Sequence, residues 1–197
     1  MSTVTAAPDS TDPLATALAT VRAFAAADPA VVSARGVEAL VAGVGVGTPR
    51  KTWILPGVRE RAVALVRGCA ADRLDQARPY RVVPAGPSPV ARALHAVGLA
   101  MAGEPALVFC GTGTTGYGAF HEALHLAARH AAPVTFVVGW YENPGPFAAP
   151  LAGTPASLAA SLGIATTVLD GNDAAAVRDA VAASGLHLVQ ATLRGRD

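Results

Sequence analysis

The chain of 197 residues is 52% hydrophobic but only 15% charged, and its formal net charge is +1 at pH 7. A charged fraction this far below the usual quarter predicts that a partner subunit covers part of the surface. The near-neutral charge and a single lysine argue against a nucleic-acid partner, and the lack of a long apolar run or a signal sequence predicts a cytoplasmic protein with no membrane span.

The first half of the chain predicts several helices and one short strand. Residues 1–12 are rich in Ser, Thr, Asp and Pro and are expected to form a flexible arm, which leaves residues 13–197 as a single α/β domain. Pro13 suits the first turn of a helix that ends near Ala27. Further along, the pattern predicts a helix at 36–46, a strand at 51–57, a long helix at 59–77 with Arg67 on its solvent face, and an extended loop at 77–89.

In the second half, helices alternate with short apolar strands. Helices are predicted at Val90–Met101, Gly118–His130, Pro155–Leu162 and Asp173–Ala183, and strands at 105–110, 133–140, 165–170 and 186–193. Apolar runs without alternation are typical of a parallel sheet that is covered on both faces. The pattern therefore predicts a doubly wound, mostly parallel α/β fold with helices on both faces, in which ligands bind at the carboxyl ends of the strands. Gly171-Asn172 is interpreted as a turn before a helix that Asp173 caps.

The segment Gly111–Gly116 follows a predicted strand and matches the dinucleotide pattern G-x-G-x-x-G. That pattern requires an acidic residue about 20 positions further on, for the ribose of the dinucleotide. Residues 131–136 contain no acid, and Glu142 comes late. The nicotinamide interpretation therefore lacks the acidic residue that it requires.

The next residues, His121, Glu122 and His125, match the zinc-protease pattern H-E-x-x-H. Two histidines four residues apart on a helix share a face and could bind one zinc ion, with the glutamate as a base. A third ligand is needed, and His130 is one residue short of the spacing at which such proteins place it. The zinc metalloprotease stays open as a third hypothesis.

A longer match gives another interpretation. The run "GTGTTGYGAFHEALHLAARHAAPVTFVV" resembles the thiamine-diphosphate motif in the alpha subunits of 2-oxoacid dehydrogenases. The resemblance continues in "TWILPGVRERAVALVRG" and "RALHAVGLAMAGEPALVFCGTG" upstream and in "LGIATTVLDGNDAAAVRDAVAAS" downstream, and so covers residues 34–194. It implies a diphosphate-binding α/β fold and the decarboxylation of a 2-oxo acid. It also implies a beta-type partner, in a heterotetramer, that supplies the catalytic Glu.

The resemblance also implies the site residues. Gly111, Thr112 and Gly113 correspond to the Gly-Asp-Gly turn that binds the diphosphate of thiamine diphosphate, and Arg59 corresponds to an Arg that contacts it. No catalytic residue is expected on this chain, because the family takes its catalytic Glu from the partner.

The metal site departs from the family pattern. The family binds Mg²⁺ through the Asp that Thr112 replaces and through an Asn after the next strand. An ungapped alignment puts Tyr141 in the Asn position, whereas a shift of two residues puts Asn143 there. The expected metal ligands are therefore Thr112 and Asn143. The main alternative is a non-catalytic alpha-like subunit that has kept the fold to bind its partner.

Overall fold

The computed structural model describes residues 12–27, 36–86, 88–141, 151–183 and 185–194. The predicted arm, apart from Asp12, and the predicted ligand Asn143 lie outside these residues. The boundaries of the single domain stay a prediction. None of the helices in the described part of the chain is long and apolar enough to cross a bilayer.

The described residues form a five-stranded sheet with helices on both of its faces. The helices are α1 Pro13–Ala27, α2 Glu38–Gly47, α3 Val63–Val66, α4 Pro89–Met101, α5 Gly118–His130, α6 Pro155–Ser161 and α7 Ala174–Ala180. The strands are β1 Trp53–Leu55, β2 Ala106–Gly111, β3 Val134–Trp140, β4 Ala165–Asp170 and β5 His187–Thr192. All pairings are parallel, in the order β1-β2-β3-β5-β4, and the carboxyl ends of the strands therefore meet at one edge.

The sheet separates two apolar layers. Leu107 and Phe109 of β2 pack with residues of α1, α2, α3 and α7, whereas Val108 and Cys110 pack with residues of α4, α5 and α6. Successive residues of a strand point to opposite faces, so a continuous apolar run is needed when both faces are covered. The prediction of a parallel sheet with helices on both faces is confirmed.

The long helix predicted at residues 59–77 is wrong. The structure has the four residues of α3 there, followed by short 3-10 helices at Ala71–Gln76 and Arg78–Tyr80. Gly68, at a φ of 100°, ends α3 because the left-handed conformation suits glycine.

The placement of Arg67 in solvent is also wrong. Its side chain is buried and donates to the carbonyl oxygens of Thr48 (3.1 Å) and Pro49 (3.3 Å). Burial, together with the smaller effect of the nearby Arg50 charge, lowers the pKa of this guanidinium to about 10. These bonds tie the end of α3 to the loop that precedes β1, so Arg67 serves the fold.

Candidate functional site

The Gly-rich turn, residues Gly111–Gly118, joins β2 to α5 at the carboxyl edge of the sheet. A 3-10 helix spans Thr112–Gly116, and α5 begins at Gly118. A Cβ placed on Gly111, Gly113 or Gly118 would meet no atom within 4 Å, so the turn faces open space. The first amides of a helix have no acceptor within that helix, which makes such a turn a natural contact for an anion.

Thr112 is buried inside this turn and does not point to solvent. Its hydroxyl donates to the carbonyl oxygen of Gly139 at 3.1 Å and accepts from the backbone N–H of Tyr141 at 2.8 Å. Gly139 lies near the carboxyl end of β3, and Tyr141 is the first residue after that strand. The hydroxyl therefore connects the turn after β2 to the end of β3.

Further side-chain hydrogen bonds hold the rest of the turn. The Thr115 hydroxyl donates to the carbonyl oxygen of Thr112 at 2.7 Å. Nε2 of His121 lies 3.2 Å from the carbonyl oxygen of Thr115. A carbonyl oxygen only accepts, so Nε2 carries the proton and is the donor. His121 thus fastens the first turn of α5 to the Gly-rich turn.

These contacts bear on the zinc hypothesis. A ring nitrogen that donates its proton to a carbonyl has no lone pair for a metal, so His121 could bind one only through Nδ1. Glu122 and His125 are exposed on the same helix. Within the described ranges, no three His, Cys, Asp or Glu side chains converge to bind an ion. This part of the chain gives the zinc hypothesis no third ligand.

The turn after β1 lies beside the Gly-rich turn, because β1 and β2 are paired. Here the N–H of Gly57 donates to Oε2 of Glu60 at 2.9 Å. A Cβ on Gly57 would lie 2.4 Å from that oxygen and 3.0 Å from Nη2 of Arg92, so Glu60 and Arg92 crowd the same space. Arg59 is exposed next to them.

Burial keeps two acidic groups near this turn protonated more readily than usual, the Glu60 carboxyl and the Cys110 thiol of β2. It raises the pKa of the Glu60 carboxyl, against the opposing charge of Arg92. It also raises the pKa of the Cys110 thiol to about 12, so this cysteine is a neutral, structural thiol. Nε of Arg92 is buried without a hydrogen-bond partner among the described residues. The charged side chains Arg59, Glu60 and Arg92 therefore lie at the turn after β1, whereas the Gly-rich turn has none.

The turn after β4 is structural, as expected. Oδ1 of Asp170 accepts from the backbone N–H and the side-chain amide of Asn172, and Asp173 caps α7 by accepting from Ala175 and Ala176. A cavity of about 440 Å³ opens nearby, lined by residues that include Arg22, Glu38, Asn172 and Arg194. Glu38 is bound to the N–H of Gly36 there, and Arg194 is paired with Asp170.

The structure thus brings together four of the predicted site residues, Arg59, Gly111, Thr112 and Gly113, on adjacent turns at one edge of the sheet. Glu60 and Arg92 are also neighbours of this site, and the sequence alone did not predict them there. Their proximity depends on tertiary packing, which brings Arg92 of α4 to Gly57 and Glu60 in the turn after β1 and which no local pattern signals.

Comparison with known proteins places the chain in a family. A family model described as the dehydrogenase E1 component matches residues 82–186, more than half of the chain and all of the Gly-rich turn. The chain therefore belongs to the dehydrogenase E1 component family.

Two curated relatives agree with this assignment. The 2-oxoisovalerate dehydrogenase subunit alpha of Bacillus subtilis is 32% identical over 137 residues, which are 55% of this chain and 42% of the relative. The 3-methyl-2-oxobutanoate dehydrogenase subunit alpha of Mycobacterium tuberculosis is 32% identical over 121 residues, which are 53% of this chain and 33% of the relative. The chain matches well under half the length of these relatives.

A solved structure supports the fold. A transketolase from Campylobacter jejuni superposes with a TM-score of 0.69 over 92% of this chain and 37% of its own, at 15% sequence identity. The shared architecture is an α/β fold with a parallel sheet between helices, as the sequence predicts.

Proposed function

We propose that this chain is an alpha-type subunit of a thiamine-diphosphate-dependent 2-oxoacid dehydrogenase and acts with a beta-type partner. The observation that carries the proposal is the Gly-rich turn at the carboxyl edge of a parallel sheet, within the region of the family match. Both curated relatives are named for dehydrogenases of one branched 2-oxo acid, 3-methyl-2-oxobutanoate, which is the first substrate to test. The two free, buried cysteines fit the cytoplasmic location that we also propose.

The residues at this edge fit the diphosphate of the cofactor. The backbone amides at Gly111, Thr112 and Gly113 would contact the diphosphate, and the exposed guanidinium of Arg59 would neutralise part of its charge. Thiamine diphosphate, when bound, supplies the electron sink for decarboxylation of a 2-oxo acid. The role proposed for this chain is to bind and orient the cofactor, while the partner supplies the catalytic carboxylate.

The same residues do not fit the Mg²⁺ ion that the family resemblance implies. A hard cation asks for oxygen ligands in an octahedron, usually with a carboxylate. The Gly-rich turn carries none, and the Thr112 hydroxyl is buried with its proton and one lone pair already engaged. The second proposed ligand, Asn143, lies outside the described residues.

This misfit supports a second candidate function, a non-catalytic alpha-like subunit. Such a protein would keep the fold to bind a beta-type partner and would have given up the cofactor. The two candidates predict the same complex and differ in cofactor binding and turnover. A single preparation therefore separates them.

The test is co-expression with a beta-type subunit from the same genome. We expect the two proteins to co-purify as two alpha-type and two beta-type chains, and the complex to decarboxylate 3-methyl-2-oxobutanoate with a dye as electron acceptor. Arg59→Ala should weaken cofactor binding about tenfold, the order expected for one lost charged contact. Arg129→Ala, an exposed arginine in the last turn of α5 and so at its far end, is the matched control and should change nothing.

The alternatives give distinct results. A stable complex with neither cofactor binding nor turnover would establish the non-catalytic subunit. A monomer that ignores the beta-type protein would contradict both candidates.

A further inference from the structure

We propose that the Thr112 hydroxyl, with the Gly139 carbonyl and the Tyr141 amide, forms a neutral latch that fixes the Gly-rich turn where a metal ion is expected. The proposal deepens the proposed function, and it rests on that function only for the identity of the ligand. Its geometry is a property of this chain alone.

The hydrogen-bonding capacity of the Thr112 hydroxyl is almost fully used. A threonine hydroxyl has one proton and two lone pairs. The proton is donated to Gly139 at 3.1 Å, and one lone pair accepts the N–H of Tyr141 at 2.8 Å. The side chain is 4% exposed, so these bonds lie inside the protein. What remains is one lone pair on a neutral oxygen, a poor ligand for a divalent cation.

The latch connects the turn after β2 to the turn after β3. Residues 112 and 141 follow neighbouring strands, β2 and β3, at the edge where their carboxyl ends meet. A cation at such a place would join two turns by binding an oxygen from each. Here a direct hydrogen bond joins them, and no ion is needed to hold the turns together.

The hydrogen bonds that begin at Thr112 continue into α5. The Thr115 hydroxyl donates to the Thr112 carbonyl, and His121 donates to the Thr115 carbonyl. The turn is thus bonded at its start and near its end by side chains. Its glycines still face open space, so a ligand can reach the backbone. The turn is therefore shaped for an anion before any ligand or metal binds.

The two hydrogen bonds also restrict which residue types can occupy position 112. Serine would keep both hydrogen bonds, whereas valine would keep the shape and lose both. A carboxylate could accept from Tyr141 but could not donate to Gly139, and its second oxygen would face a carbonyl oxygen. Position 112 is therefore a positioning residue whose side chain must both donate and accept a hydrogen bond.

The experiment measures backbone hydrogen exchange and thermal unfolding of the full chain, in Mg²⁺ and in EDTA. Wild type and Thr112→Ser should show a slowly exchanging Tyr141 amide and the same melting temperature in both buffers. Thr112→Val should exchange that amide about tenfold faster or more and should melt roughly 3–8 °C lower, because two buried hydrogen bonds are lost.

The control is Thr114→Val, the same substitution in the same turn. Thr114 is also buried, and its hydroxyl takes no part in the hydrogen bonds of Thr112, Thr115 and His121 described above. This variant should leave the exchange of the Tyr141 amide unchanged. An equal effect of both valine substitutions would overturn the proposal.

Two further outcomes would also overturn it. One is a wild type whose turn is protected or stabilised by Mg²⁺, and the other is an unaltered Tyr141 amide in Thr112→Val. If the valine variant does not fold, the wild type and Thr112→Ser in the two buffers still decide the matter. Failure of the complex to bind cofactor would count against the proposed function and leave the exchange results untouched, so the two failures are distinguishable.

Discussion

The turns after β1 and β2 lie side by side and keep their shapes by opposite means. The turn after β2 is built from uncharged groups, and Thr112, Thr115 and His121 bond to backbone atoms within it or next to it. The turn after β1 gathers Glu60, Arg92 and Arg59, with a carboxyl whose pKa is raised by burial and a guanidinium nitrogen without a partner among the described residues.

The difference suggests a division of roles at this edge. Neutral hydrogen bonds hold a backbone in one conformation without favouring any charge, and so suit a rigid platform. Incompletely paired charges cost stability but are available to a ligand. An anion that lies on the Gly-rich turn would take its shape complementarity from the first region and its charge complementarity from the second.

The largest effect is expected from placing a charge in the neutral region. Thr112→Asp should lower the free energy of unfolding by about 3–5 kcal/mol, because it buries a carboxylate that cannot donate to Gly139. Thr112→Asn is the control, since it has the same shape with an amide that can donate. Urea unfolding of both variants isolates the cost of the charge. Equal stability of the two variants, or full rescue of the Asp variant by Mg²⁺, would refute the neutral-platform account.

A smaller effect is expected from crowding the charged region. A Cβ on Gly57 would meet Oε2 of Glu60 at 2.4 Å, so Gly57→Ala must displace the Glu60 and Arg92 side chains. We expect a loss of about 1–3 kcal/mol, typical of overpacking. Gly111→Ala, whose Cβ would meet nothing within 4 Å, is the control in the neutral turn. Similar losses for the two alanines would show that the two turns do not differ in packing.

The stability of the folded chain should depend on pH through Glu60. Burial raises the pKa of Glu60 above its ordinary value of 4.5 in the folded chain, so folding favours the protonated carboxyl. The stability that this group contributes is complete below 4.5 and is lost as the pH rises through the folded pKa. Glu60→Gln should remove that dependence and should be more stable than the wild type at pH 7, where the buried carboxyl is most costly. Parallel curves of stability against pH for the two proteins would contradict this.

The smallest effect on stability is expected at the open glycine of the platform. Gly113→Ala should change the free energy of unfolding by no more than about 0.5 kcal/mol, because the added Cβ meets no protein atom. In the complex it should nevertheless weaken thiamine diphosphate binding, since the methyl group extends into the space that a ligand would use. Calorimetric titration measures this. Unchanged affinity would remove the Gly-rich turn from the proposed site.

The sheet and its layers could be predicted because most of its strands, such as β2 and β3, are local apolar runs. The helix predicted at 59–77 was wrong because Gly68 ends α3 in the left-handed conformation. Arg67, which has helical spacing with its neighbours, bonds instead to carbonyls 18 and 19 residues away in the sequence. The edge strand β4 is also more exposed than a parallel strand with both faces covered would be, because it pairs with β5 alone and the helices beside it, α6 and α7, have only 7 residues each.

The candidate site, too, could be predicted only where its residues form a local pattern. The Gly-rich turn and Arg59 are visible as short patterns. The function of Thr112 is not, because its partners Gly139 and Tyr141 lie 27 and 29 residues further on and are reached only through strand pairing. Asn143 as a metal ligand stays a prediction.

Because the Thr112 hydroxyl joins the two turns without an ion, we expect the Gly-rich turn to bind the cofactor's diphosphate without a divalent ion. Titration of thiamine diphosphate into the purified alpha–beta complex, once in Mg²⁺ and once in EDTA, tests it most directly. We predict one site per alpha-type chain and dissociation constants that agree within about threefold, a difference of less than 1 kcal/mol. Binding that appears only with Mg²⁺, or no binding in either buffer, would contradict the claim.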